Sequence, residues 1–450
     1  MTSWGWIQNN KTINQEIMKK LNYILVFALM ASHWAMAQKP VPAPPQSKPI
    51  AIKGGTAHIG NGQVMENALI TFDKGKLTNV ADGNTAKIDL SGYEVIDATG
   101  KQVYPGFILP NSQVGLEEVS AIRAMSDSRE EGDMNPNVRS VISYNADSEY
   151  PPTFRFNGVL LAESTPVGGT ISGSSSLMEM EGWNWEDAVH TPDIGIHLNW
   201  PSMVKRQFSF STFSFTETPN KEYDKEVYDL EHFFKDAMAY GNQANKEVNL
   251  KLEAMQGLFD GTKRLFIHTN NPKEVITSIR TAQRNGVKHI TLVSGEAALP
   301  VADFLKENQI PVILPSTHNL PDRVDEDVDM AYKLPYLLSQ AGVMVSLSQD
   351  GSLHGGRNLA FFAGTAVAYG MGKEDALKTI TSNTAKALGV DKRVGTLEVG
   401  KDATLFISEG DALDYRTNVL LHAFISGKHI TLPGNQQELY ERYSKKYGQK

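Results

Sequence analysis

The 450-residue chain is 41% hydrophobic and 21% charged, enough for a large buried core, and its net charge of −8 leaves no basic stripe to neutralise nucleic-acid phosphates. It contains no cysteine. Disulfides, thiolate metal sites, a Cys nucleophile and a lipidated Cys are therefore excluded, and any metal site has to use His and carboxylates.

The N-terminal part reads as a targeting signal. "MKKLNYILVFALMASHWAMAQKP" begins at Met18 with Lys19 and Lys20, continues through an apolar run from Leu21 to Ala31, and places Ala35-Met36-Ala37 before Gln38. That is the small-x-small pattern of a secretory cleavage site. A run of about 11 apolar residues is too short for a bilayer core that needs ~20. Residues 1–37 are expected to be a cleaved signal peptide, with 1–17 an over-long start, leaving an exported, periplasmic or secreted chain with no transmembrane span. The Pro-rich stretch 38–49, "QKPVPAPPQSKP", reads as an extended linker.

From Ile50 to Ala98, short β-forming runs break at Gly54-Gly55, Gly60-Asn61-Gly62 and Asp73-Lys74-Gly75. The same texture returns in "VGTLEVGKDATLFISEG" and "VLLHAFISGKHITL". Residues 50–102 and 385–432 are thus predicted to meet as one small β-sandwich built from both termini. Between them lie eight candidate strands: Val103–Leu109, Gly158–Ala162, Gly169–Ser172, Ile194–Leu198, Arg264–His268, Lys288–Val293, Pro311–Leu314 and Val343–Ser348. Helical patterns follow the last four, at Pro272–Asn285, Ala298–Asn308, Asp327–Ala341 and Asn358–Tyr369. Strand-then-helix repetition at this count predicts a TIM-like (β/α)8 barrel over residues 103–384, with 433–450 a C-terminal tail.

Several motifs invite stronger readings than their residues support. "TPVGGTISGSSSLMEMEGWNWEDA" lacks the lysine and spacing of a phosphate loop and reads as a Gly/Ser turn after a barrel strand. Trp183 and Trp185 behind it either wall a substrate pocket or pack a long loop onto the barrel. "FSFSTFSF", Phe208 to Phe215, alternates with period two and is expected to be a half-buried strand, with a hairpin or lid as the alternative. "STHNLPDRVDEDVDMAY" is read as a solvated helix start, with His318 at the seventh strand's exit. "DGSLHGGRN" puts His354 in a Gly-rich loop beside the pocket, but no G-x-S-x-G elbow exists, so a Ser-His-Asp hydrolase is set aside.

"PGFILPNSQVGL" is the stretch on which function turns: a buried strand stops abruptly at Asn111, Ser112 and Gln113. Together with "VIDATGKQVYPGFILP" (Val95–Pro110) and "ALKTITSNTAKALGVDKRVGTLEVGKDATLFI" (Ala376–Ile407), it makes the chain resemble the amidohydrolase superfamily, in its imidazolonepropionase-related branch. The two signatures are similar to the family's entry into, and exit from, its barrel. The resemblance implies a Zn²⁺-type ion that activates water, bound at the strand tips by His-x-His on the first strand, Lys or Glu on the fourth, His on the fifth and sixth, and Asp on the eighth. Here the two first-strand positions are the amides Asn111 and Gln113, poor Zn²⁺ ligands. The fifth strand offers His268 and the eighth Asp350, while the sixth has Ser294. His197 lies near the fourth strand's end.

Two functions stay open. One is hydrolysis of a carbon–nitrogen bond in a small amide or cyclic amide, with at most one divalent ion. Its ligands would be His268 and Asp350, with His197, His318 or His354 as extra ligands, and Asp350 and His268 would be the catalytic pair. The other is a catalytically inactive relative that serves as a binding module or partner subunit, either in a homo-oligomer or paired with an active paralogue. A strand-end His268 and a helix-capping Asp350 are the structural alternatives to catalysis.

Overall fold

Gly106 divides the apolar run from Gln102 to Ser112 into two strands belonging to different sheets. Its backbone N–H bonds to Thr404 O at 2.9 Å, and a Cβ there would stand 2.8 Å from Thr404 Cγ2 and 3.0 Å from the Leu160 side chain. The expected single strand Val103–Leu109 is therefore two, because only glycine allows the chain to cross so close to its neighbours. The computed structural model describes residues 41–119, 121–210, 213–244, 246–321, 326–349 and 353–449. The expected signal peptide lies outside them, as does Asp350. The chain divides at Pro42, and the account that follows concerns the unit Ala43–Lys450.

Both ends of this unit are woven into one sheet. Strands β1 (Ile50–His58), β2 (Val64–Asp73), β3 (Lys76–Asp82), β4 (Glu94–Asp97) and β5 (Gln102–Pro105) join β16 (Leu405–Ser408), β17 (Leu420–Ile425) and β18 (Lys428–His429) in the order β18-β17-β16-β5-β1-β2-β3, with β4 beside β1. The sheet curls until Phe72 of β2 meets Phe424 of β17 edge-on, ring centroids 5.0 Å apart. The β segments expected to meet as one small sandwich do meet, as a single mixed sheet folded over its own apolar face of Ile52, Ile70, Phe72, Leu405 and Phe424. The C-terminal tail carries a helix, Asn435–Tyr447.

The second eight-stranded sheet runs β6 (Phe107–Ser112), β7 (Val159–Ser164), β8 (Ile171–Glu179), β9 (Val189–Asn199), β12 (Arg264–His268), β13 (Ile290–Val293), β14 (Val312–Leu314) and β15 (Val345–Leu347). It is a nearly closed, TIM-like barrel. The gap between β15 and β6 is spanned by Thr379 and Ile380, whose carbonyls accept from Leu347 N at 3.0 Å and Ile108 N at 2.9 Å. One strand departs from the (β/α)8 scheme: β8 is antiparallel to both neighbours. The Gly/Ser stretch expected as a turn is this strand, all nine of its residues buried. No helix separates it from β7, and only the short helix Trp185–Ala188 separates it from β9.

After β9 comes a hairpin, β10 (Val204–Ser209) with β11 (Ser214–Pro219), which among the described residues pairs with no other strand. The expected half-buried strand is therefore an exposed ribbon, with Phe210 and Phe213 over 80% exposed. Helices Pro272–Arg284, Met330–Gln340 and Leu359–Ala368 lie close to the predicted ones. The expected helix Ala298–Asn308 is a 3-10 turn, Glu296–Val301, containing Pro300, followed by a short helix, Ala302–Glu307. No described helix is long and apolar enough to cross a membrane.

Candidate functional site

Side chains two apart on a strand share a face, and in this barrel that period separates an apolar floor from a polar layer. Leu161, Leu177 and Phe266 belong to a cluster that also includes Ala385, Leu388 and Val390, from the segment that plugs the lower end. One step above them stand Glu163, Ser175 and His268; β8 runs the other way, so its upward step goes from 177 to 175. His197 on β9 pairs with Phe266 in register, and its ring stacks on that phenyl at 4.6 Å and 12°. Gly195 leaves the room: a Cβ there would stand 2.3 Å from Phe266 Cε2.

The polar layer is one hydrogen-bonded chain. Ser175 Oγ donates to Glu163 Oε1 at 2.6 Å, and Asn111 N donates to Glu163 Oε2 at 2.8 Å. His197 Nε2 lies 2.9 Å from Ser175 Oγ and 3.2 Å from Glu163 Oε1, and His197 Nδ1 lies 2.8 Å from His268 Nε2. Because the serine proton goes to the carboxylate, Nε2 of His197 must donate. When His197 is neutral it accepts at Nδ1, and in that state Nε2 of His268 donates and Nδ1 of His268 keeps its lone pair. Glu163 and His197 are completely buried. Burial, and then the neighbouring His197, push the His268 pKa down to about 3, so this ring is neutral at ordinary pH.

The chain ends in a cavity of about 770 Å³ at the C-terminal ends of the strands, the usual functional face of such barrels. Asn111, Gln113, Asn199, His268, Asn270, Ser294 and Ser348 line it. Asn111 takes the left-handed conformation at φ 49°, which Asn tolerates better than most residues. That turn aims its N–H at Glu163. Ser348 Oγ donates to Pro110 O at 2.5 Å and ties the β15 exit to the β6 exit.

Of the residues singled out in the sequence, Asn111, Gln113, His268 and His197 come together here, His197 beneath the cavity rather than on its wall. Ser294 lines the same cavity, Asp350 lies outside the described residues, and Trp183, Trp185, His354 and His318 do not join them. Trp183 and Trp185 follow β8, and since β8 is antiparallel its exit is at the opposite end of the barrel; Trp183 is 65% exposed and Trp185 packs on the outer core. His354 is exposed beside Tyr150, its Nε2 3.5 Å from the phenol oxygen, and is not on the cavity wall. His318 is exposed, bonded to Thr365 Oγ1 at 2.7 Å, though Thr317 and Asn319 on either side line the cavity. Glu163 was missed, although an acid ending the apolar run "VLLAE" is the signal of a charge that needs a buried partner.

The model of the amidohydrolase family matches residues 187–430, more than half of the chain. The chain belongs to the amidohydrolase family. Over 110 residues it is 34% identical to imidazolonepropionase from Thermoplasma volcanium, a match that spans only 23% of this chain and 27% of that protein. Its structure is similar to an amidohydrolase from Thermotoga maritima, with a TM-score of 0.72 and 22% identity, covering 85% of this chain and 99% of the other. A prolidase complexed with N-methylphosphonate-L-proline matches at a TM-score of 0.52 and 15% identity, over 85% and 99% of the two chains. Molinate hydrolase matches at 0.51 and 15%, over 86% and 95%. At these identities the structural likenesses establish the fold.

Membership is compatible with a divalent ion, but the described donors do not fit one. Both nitrogens of His197 and Nε2 of His268 are engaged within the chain, and the first-strand positions offer amides. Among the described residues no three His, Asp or Glu side chains converge as ligands. No reaction step is therefore routed through a metal.

Proposed function

We propose that this exported amidohydrolase-family protein hydrolyses a carbon–nitrogen bond of a small amide or cyclic amide held in the barrel mouth. The observation that carries the reading is the buried Glu163–His197–His268 chain, which delivers an oriented imidazole lone pair to the floor of the cavity. In this scheme water, its proton accepted at His268 Nδ1, attacks the carbonyl carbon. As that proton arrives, Nε2–H of His268 passes to His197, whose own Nε2–H passes to Glu163, so the positive charge never rests on a buried ring. The side-chain amides of Asn111 and Gln113 donate to the carbonyl oxygen where the family uses a Lewis acid. The proton then returns to the leaving nitrogen as the C–N bond breaks, giving an acid and an amine. Export rests on the segment from Met18 to Ala37.

A second reading, a binding subunit without turnover, is favoured by the amides at positions 111 and 113 and by the weak basicity of His268. A panel of linear and cyclic amides, with elemental analysis of the same preparation, separates the readings. Turnover that is lost in His268→Ala, with well under one metal ion per chain, supports the proposal. Turnover that tracks one bound ion per chain would revive a reduced metal site, and no turnover across the panel leaves the binding module.

A further inference from the structure

Two histidines that the proposed chemistry does not use meet on the β17–β18 hairpin. Ser426 and Gly427 turn the chain at positive φ, 47° and 79°, and set Phe424 opposite His429. By the period of two along a strand, His422 shares their face. Its Nδ1 lies 3.1 Å from His429 Nε2, with the two rings tilted by 41°. His429 is held by stacking on the buried Phe424, ring centroids 4.6 Å apart and planes at 23°. Burial lowers the pKa of both rings, and His422 lowers that of His429 further, so both are neutral at ordinary pH. The negative charge of Glu94 acts on both rings in the opposite sense.

Two imidazole nitrogens, each about 2.0–2.1 Å from one transition-metal ion, stand about 3.1 Å apart when the angle at the ion is roughly 98°. The spacing of His422 Nδ1 and His429 Nε2 is therefore the bite of a chelate, between square-planar and tetrahedral. We propose that His422 and His429 form a surface site for one divalent transition-metal ion, Cu²⁺ most tightly, with Zn²⁺ and Ni²⁺ after it. The proton between the two nitrogens moves to the far nitrogen of its own ring, and a small rotation of each ring turns both lone pairs onto the ion. His429 is exposed and His422 half-buried, so the ion reaches them from solvent. Among the described residues no third His, Asp or Glu side chain converges with them; water completes the shell, and the ion is exchangeable. Ca²⁺ and Mg²⁺, which take oxygen ligands, are not expected to bind. The ion would clip β18, an edge strand of two residues, onto β17.

The test is titration of the full chain, first stripped with EDTA, with Cu²⁺ followed by electron paramagnetic resonance and with Zn²⁺ followed by calorimetry. One exchangeable ion per chain is expected, with two imidazole nitrogens in the equatorial shell of Cu²⁺, and Tm should rise as Zn²⁺ is added. His422→Asn and His429→Asn should each abolish this binding. The spectrum of the natural protein decides the matter should a variant fail to fold. No bound ion, a spectrum with fewer than two imidazoles, or binding that survives both variants would overturn the proposal. The site is independent of turnover. His268→Ala should leave metal binding intact and His422→Asn should leave hydrolysis intact, so an ion held here is told apart from one in the barrel.

Discussion

Glu163 and His197 face one another with no solvent at either side chain, an arrangement that costs free energy unless every polar atom is matched. Here the matching is close to complete: both carboxylate oxygens of Glu163 accept, and both nitrogens of His197 are used. Removing the charge while keeping the shape, in Glu163→Gln, should release the tautomer of His197 and with it that of His268. Turnover of a responsive amide should fall by about 100-fold, the lower end of what a positioned proton acceptor contributes. Binding of the same amide, measured separately, should hardly change. A variant with normal kcat would remove Glu163 from the mechanism. In the sequence His268 and His197 were visible as polar residues at strand tips, and Asn111 and Gln113 as amides where imidazoles were expected. Glu163 showed only as an acid ending an apolar run and Ser175 not at all, because neither strand direction nor which carboxylate meets which imidazole is a property of a local segment.

The antiparallel β8 is the element on which the site depends, since only its reversed direction brings Ser175 up to the level of Glu163 and His197. Gly173 makes the strand possible. It sits at φ 141°, and a Cβ would stand 2.7 Å from Val138 O. Gly173→Ala should therefore destabilise the protein by about 1–3 kcal/mol, read as a lower Tm by differential scanning calorimetry. The β10–β11 ribbon should behave oppositely. Its described residues pack on one another, and its base is already closed by Asn220 N donating to Met203 O at 2.8 Å. Replacing residues 204–219 by a short glycine turn should shift Tm by no more than a few degrees while raising solubility, because Phe210 and Phe213 leave the surface. A large loss of Tm would show that the ribbon carries contacts beyond its own two strands.

Across the whole unit, one buried carboxylate ties the terminal sheet to the barrel. Asp402 receives His190 Nε2 of β9 and Arg393 Nε, each at 2.9 Å, and Lys76 Nζ of β3 at 2.5 Å. Burial pushes its pKa up, but the bonds from His190 and Lys76 and the Arg393 charge outweigh it and hold the value at about 2, below the ordinary 3.8. A carboxylate so depressed contributes stability that is present above pH 3.8 and is lost as pH falls toward 2. Asp402→Ala, which strands a buried imidazole, should cost about 3 kcal/mol near neutral pH. The Tm gap between it and the natural protein should close as pH falls from 4 toward 2. A gap that stays constant over that range would mean that packing, not charge, makes Asp402 matter.

What the sequence by itself determined is the local part: apolar runs bounded by breakers place the barrel strands, and 3.6-residue periodicity places most of the helices behind the later ones. The absence of cysteine and the amides at 111 and 113 had already narrowed the metal chemistry. Only the tertiary structure decided that β8 runs backwards, which sends Trp183 and Trp185 to the far end and lifts Ser175 into the site. It also decided that the two terminal β segments, expected to meet, do so as one curled sheet, and that Glu163 finds His197. The physical reason is the same in each case. Strand and helix propensity are written in neighbouring residues, whereas direction, pairing and the partner of a buried charge are settled between segments distant in the chain, where side-chain volume and the cost of an unmatched polar group choose among arrangements that look equal locally.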